Sequence, residues 1–104
     1  MISSKPALAA LTALWLMAMP ASASPELARK HICMGCHALD RKVVGPAWRD
    51  VAARYAGQAD AVPKLAEKIQ RGGKGVWGAV PMPANPKVTP EDAKALASWI
   101  LTVK

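Results

Sequence analysis

Cys33-Met34-Gly35-Cys36-His37 sets two thiols three positions apart, with an imidazole directly behind the second. Thiols at this spacing can add to the vinyl groups of a haem as thioethers, and the adjacent His37 is then placed under the iron as an axial ligand. The chain of 104 residues holds two cysteines, so haem attachment leaves no thiol over. A disulfide between Cys33 and Cys36 would close a tiny loop and staple almost nothing; such pairs are usually redox-active or ligands. A thiol–disulfide oxidoreductase would use them as free thiols, but no βαβ pattern is present to carry the motif. A zinc module lacks a fourth ligand, and neighbouring Cys and His make poor tetrahedral geometry.

A six-coordinate haem needs a second ligand opposite His37. Outside residues 1–23, which read as a leader, the methionines are Met34 and Met82. Met34 lies within the attachment motif on the proximal side and cannot reach across the ring. Met82 sits in Val80-Pro81-Met82-Pro83, where prolines on both sides restrict the backbone. That stiffness helps hold a thioether on iron; a plain apolar plug is the alternative role for a loop methionine. His31 is the other histidine, tethered two residues ahead of Cys33, and is expected on the surface. His–Met ligation raises the potential relative to bis-His and leaves no open position. That argues for electron transfer and against a haem enzyme such as a peroxidase, which would need Met82 to be labile.

The elements that must position these groups are short helices. Ser24-Pro25-Glu26 reads as a helix start, with Ser as N-cap and Pro at the first helical position, running toward Cys33. Gly45-Pro46 breaks the chain, and 47–55 predicts a second helix that stops near Gly57. Asp60 can cap a third helix, with Pro63 in its first turn, Leu65 and Ile69 on one face, and Gly72-Gly73 at its end. Residues 72–88 hold four glycines and three prolines and predict a long loop of the kind that is usually functional. Thr89-Pro90-Glu91-Asp92 starts the last helix, on which Ala93, Leu96, Ala97, Ile100 and Leu101 make one apolar face. No segment alternates convincingly as a strand, so the expected fold is all-α.

Residues 1–23 carry Lys5, an apolar run of 13 residues from Ala7 to Met19, then Pro20 and Ala21-Ser22-Ala23. A positive start, a short apolar stretch and an A-x-A site describe a secretory signal peptide. A membrane span needs about 20 apolar residues, so stable insertion is not expected. Cleavage after Ala23 leaves a single 81-residue domain, 24–104, with no Phe, one Tyr and three Trp. A core that small is marginal unaided, and a covalent haem would supply the missing apolar bulk. The haem-free chain is therefore expected to be weakly folded or unfolded. The formal charge is +7, or +6 without Lys5, with no basic run longer than two. This suits an acidic protein partner or an anionic membrane face better than nucleic acid.

Cys-Met-Gly-Cys-His-Ala at 33–38, Val-Gly-Pro-Ala at 44–47, Asp-Val-Ala-Ala at 50–53, Gly-Val-Trp-Gly at 75–78 and Pro-Met-Pro at 81–83, taken in this order, resemble a small class I cytochrome c of the bacterial c-551/c-552 (c8) type. The resemblance covers essentially all of 24–104. It implies about four short helices wrapped around one covalent haem c, with crossed terminal helices and Trp99 in their contact. It implies a monomeric, soluble periplasmic electron carrier, not an enzyme, working between a donor such as a membrane cytochrome complex and an acceptor such as a terminal oxidase or nitrite reductase. It also implies supporting roles. The Pro46 carbonyl would accept the Nδ1–H of His37 and make the ring a better donor. Trp77 would donate its indole N–H to a haem propionate, Lys68 would pair with a propionate, and Asn85 would lie near the Met82 sulfur. The chain departs from the family in Pro83-Ala84-Asn85-Pro86, where Pro-Pro-Asn is common, and in a small Ala28 set against large Met34 and Tyr55, which read as compensating core volumes.

Overall fold

The computed structural model describes Ser3 and residues 23–104. The expected leader thus falls almost entirely outside the described residues. Four helices follow in order: α1 (Ala23–Lys30), α2 (Trp48–Tyr55), α3 (Ala61–Arg71) and α4 (Pro90–Ile100), with a single 3-10 turn at Cys33–Gly35. Two isolated bridges, His37 to Lys42 and Gly73 to Met82, are the sole extended pairings among the described residues. The all-α expectation therefore holds. No helix among the described residues is long and apolar enough to cross a membrane.

The helix boundaries follow local chemistry. Thr89 caps α4, its Oγ1 accepting the Asp92 N–H at 3.1 Å with Pro90 in the first turn. Asp60 precedes α3 as expected, yet its side chain makes no cap; its Oδ2 instead lies 3.1 Å from Lys64 Nζ one turn on. Gly72 ends α3 at φ 72 and ψ −167, an extended positive-φ conformation open essentially to glycine alone. α1 already includes Ala23, so Ser24 lies within the helix and not ahead of it. The chain leaves α1 through Ile32, which is non-glycine, β-branched and left-handed at φ 63. Its Cβ crowds the backbone there, at a cost of about 1–2 kcal/mol.

α4 is the spine of the core. Its Ala93, Leu96, Ala97 and Ile100 are buried against Leu65, Ala66 and Ile69 of α3, Ala28 of α1, and Trp48 and Val51 of α2. This is the face its periodicity defines. Ala28 is fully buried, which lets α1 sit close, and Tyr55 packs against the same cluster. Met34 does not compensate for Ala28. It is 37% exposed on the 3-10 turn and lies outside the core, because that turn projects it outward.

Candidate metal centre

The 3-10 turn aims the first half of the centre. The N–H groups of Cys36 and His37 both donate to the Cys33 carbonyl, at 3.2 and 3.0 Å. The Cys36 carbonyl then accepts the N–H groups of Val44 and Gly45, at 3.2 and 2.8 Å, folding the 38–44 excursion back on itself. This return brings the Pro46 carbonyl oxygen 2.8 Å from His37 Nδ1. A carbonyl only accepts, so Nδ1 carries the hydrogen and Nε2 keeps its lone pair for a metal. Gly45 makes the approach possible: a Cβ there would stand 2.5 Å from His37 Cε1 and 2.9 Å from Nδ1. Trp48 stacks on the imidazole, with centroids 5.4 Å apart and planes at 15°. Trp48 is in turn held edge-on by Trp99, at 5.1 Å and 71°. Trp99 thus contributes a tie between α2 and α4.

The second half hangs on the end of α3. Met82 exchanges backbone hydrogen bonds with Gly73, at 2.8 and 3.0 Å. At Gly72 a Cβ would collide with the Met82 carbonyl oxygen and lie 2.8 Å from the Ala84 nitrogen, so the loop can sit this close only against glycine. The last carbonyls of a helix have no partner within it. Here Lys68 is answered by the Gly72 N–H at 2.8 Å, Ile69 by Asn85 Nδ2 at 3.0 Å and Gln70 by the Asn85 N–H at 3.1 Å. Asn85 Nδ2 also donates to the Pro83 carbonyl at 3.3 Å. Asn85 borders a cavity with Met82, but both of its N–H bonds go to carbonyls, so its amide fastens the methionine loop to α3.

Between the halves lies a cavity of about 370 Å³, walled by Cys36, His37, Val44, Trp48, Leu65, Ile69, Met82 and Ile100, with Lys42, Lys68, Lys74 and Asp50 as its charged side chains. Its size and apolar lining are those of a cofactor pocket. A smaller cavity of about 80 Å³ adjoins it, shares Cys36, His37 and Met82, and adds Cys33. The two thiols, the imidazole and the thioether therefore all border this hollow. Burial pushes the Cys33 thiol above its ordinary range, so it stays protonated and neutral there. Soft sulfur and imidazole donors around an apolar slot with an excess of cations suit a flat iron macrocycle carrying two carboxylates, and the residues fit a haem.

Lys68 is half-buried and folds across Gly73, where a Cβ would stand 2.5 Å from its Nζ. Trp77, 40% exposed, is on the wall of the large cavity beneath the Arg54 guanidinium, 4.8 Å from the ring centroid. That cation–π contact is worth about 0.5–1 kcal/mol at an exposed site. His31 is a correction: its side chain is 11% exposed, not on the surface. Its backbone N–H bonds the Leu27 carbonyl at 3.0 Å, so it continues the last turn of α1, and it borders the small cavity, where Nε2 is buried without a hydrogen-bond partner, 3.9 Å from Asp92 Oδ2. Trp48 and Arg54 were not identifiable as site residues from sequence. Trp48 comes two residues after Pro46 of the Gly-Pro break and offered that single clue; Arg54 is one of many scattered cations.

A family model described as Cytochrome c matches residues 21–104. The chain is 54% identical over 89 residues to cytochrome c-552 of Nitrosomonas europaea, spanning 86% of each. It belongs to the cytochrome c family. It is 56% identical over 82 residues to cytochrome c-552 of Hydrogenobacter thermophilus, covering 79% of this chain and 83% of that one. The crystal structure of wild-type Nitrosomonas europaea cytochrome c552 superposes with a TM-score of 0.75 at 55% identity, covering 77% of this chain and 99% of that one. Class 1 cytochrome MtoD of Sideroxydans lithotrophicus superposes at 0.69 with 36% identity, covering 79% of this chain and 94% of that one. This cytochrome therefore carries covalently attached haem c and is a single-haem electron carrier that works with redox partner proteins.

Proposed function

We propose that this cytochrome is a soluble, monomeric periplasmic carrier that is not itself an enzyme, exported by residues 1–23 and working as 24–104. Cys33 and Cys36 hold the haem as thioethers, and His37 and Met82 are the two axial ligands. Bound haem supplies an iron that cycles between Fe(II) and Fe(III). The protein's part is to fix the ligands, exclude water and keep both coordination positions filled. The Pro46 carbonyl orients His37 and strengthens it as a donor. Trp77 and Lys68 meet the propionates. Its partners are a donor such as a membrane cytochrome complex and an acceptor such as a terminal oxidase or nitrite reductase, docked through charge complementary to its basic surface.

The observation that carries this reading is the 2.8 Å contact from His37 Nδ1 to the Pro46 carbonyl, which leaves Nε2 bare on a cavity that Met82 also walls. The test is an optical spectrum of the exported protein, matured with a c-haem assembly system, in both redox states. Covalent haem with a Met–Fe(III) charge-transfer band is expected, lost in Met82→Ala. Covalent haem without that band would remove Met82 as ligand, and no haem would sink the reading. The mass of the exported protein should correspond to a start at Ser24.

A further inference from the structure

Arg54 has no role in the ligation scheme, yet it is held in place. It lies on the last turn of α2, with its guanidinium 4.8 Å above the Trp77 ring. Trp77 belongs to a tight turn that the Gly75 N–H closes onto the Gly78 carbonyl at 2.9 Å, with Gly75 at φ 96 and Gly78 at φ 116. The ring thus projects from a closed turn and carries a cation on its face. Among the described residues no carboxylate lies within ion-pair distance of Arg54, whereas Arg49 and Arg71 each have one. A stacked guanidinium with its N–H groups uncommitted keeps donors free for an anion.

We propose that Arg54 is a charge partner of the haem carboxylate that Trp77 meets, holding the Trp77 ring and adding positive charge on that side of the pocket. This rests on the haem and Trp77 assignments above. A cation held near the haem favours Fe(II), the less positive state of the iron, and so raises the reduction potential. The same arrangement fixes the direction of the indole N–H. A guanidinium suits both tasks, because its plane stacks on the ring while its edge still donates.

The test uses the mature haem-loaded protein, with midpoint potentials by potentiometric titration and the Trp77 indole N–H resonance by NMR in the Fe(II) state. Arg54→Gln removes the charge and keeps an amide. Arg54→Lys keeps the charge. Arg41→Gln removes one charge from an exposed arginine that pairs with Asp40 instead of stacking on Trp77, and is the reference for the loss of a surface charge. The expected result is a lower potential for Arg54→Gln, shifted further than for Arg41→Gln, with a displaced Trp77 resonance and most of the potential restored in Arg54→Lys. Equal shifts in the two Gln variants, or an unmoved Trp77 resonance, would overturn the assignment of Arg54. Failure of the wild type to bind haem covalently would be a failure of the underlying reading and is seen before any variant is made.

Discussion

His37 and Gly45 are packed so closely that a single added carbon at Gly45 would lie 2.5 Å from the imidazole Cε1. The contact fixes where the ring can be, and the Pro46 carbonyl, one residue further on, fixes its rotation through Nδ1. Two adjacent backbone positions therefore set one imidazole.

Gly45→Ala should displace the imidazole from the Pro46 carbonyl. Overpacking of this kind costs about 1–3 kcal/mol. A ring that loses its carbonyl partner is a weaker donor and stabilises Fe(III) less, so the reduction potential should rise. Potentiometric titration beside a urea unfolding curve checks both effects. A variant unchanged in potential and stability would show that the ring does not depend on this contact.

Much of this architecture is legible in the sequence because it is local. Thr89-Pro90 announces α4, and the spacing of Ala93, Leu96, Ala97 and Ile100 names its buried face. Gly72 marks the end of α3 for the same reason. What escaped is long-range. Trp48 on His37, Arg54 on Trp77 and Asn85 on the carbonyl of Ile69 join residues 11 to 23 positions apart and leave no periodicity to read; the last spans 16. His31 looked like a surface residue because polar side chains near a helix end usually are. It lies instead one turn beyond Leu27 on α1, and the chain turns away only after it, at Ile32, a residue type for which a left-handed backbone is not expected.

That turn yields a stability prediction. Ile32 is 77% exposed, so its side chain gains little from burial, while its left-handed backbone is unfavourable. Asn and Gly adopt this conformation readily. Ile32→Asn should stabilise the haem-loaded protein by about 1 kcal/mol, within the cost of the left-handed state for a branched residue. A rise in the urea midpoint at constant slope is the expected readout. A fall would mean that the isoleucine side chain holds the thiol turn by contacts that outweigh the strain.

The start of α4 makes a second one. Thr89 Oγ1 accepts the Asp92 N–H at 3.1 Å, and the residue does not line the cavities. Thr89→Ala should cost about 1 kcal/mol of stability and leave the visible spectrum and potential as they were. Because α4 is the common wall for α1, α2 and α3, the loss should appear as one cooperative shift. A changed charge-transfer band would instead tie the cap to the Met82 loop that precedes it.

The haem-free polypeptide gives the sharpest contrast between folded and unfolded states. Leu65, Ile69 and Ile100 wall a hollow of about 370 Å³, and without a macrocycle these side chains lose their packing partners. The chain matured without haem should therefore show no cooperative thermal transition by circular dichroism. The thiols report the same thing independently. In the folded arrangement burial raises the Cys33 pKa, so at pH 8 less of it is thiolate than in an unfolded chain, and alkylation there is slowed. By linkage a free Cys33 would support the fold below the ordinary thiol pKa and cease to as pH rises through its folded value, because the unfolded state gives up its proton first. An unfolded haem-free chain has no such protection, and alkylation of Cys33 should proceed at the rate seen in urea. Slower labelling without urea, growing faster as pH is raised, would show that the polypeptide builds the thiol turn and its pocket before haem arrives.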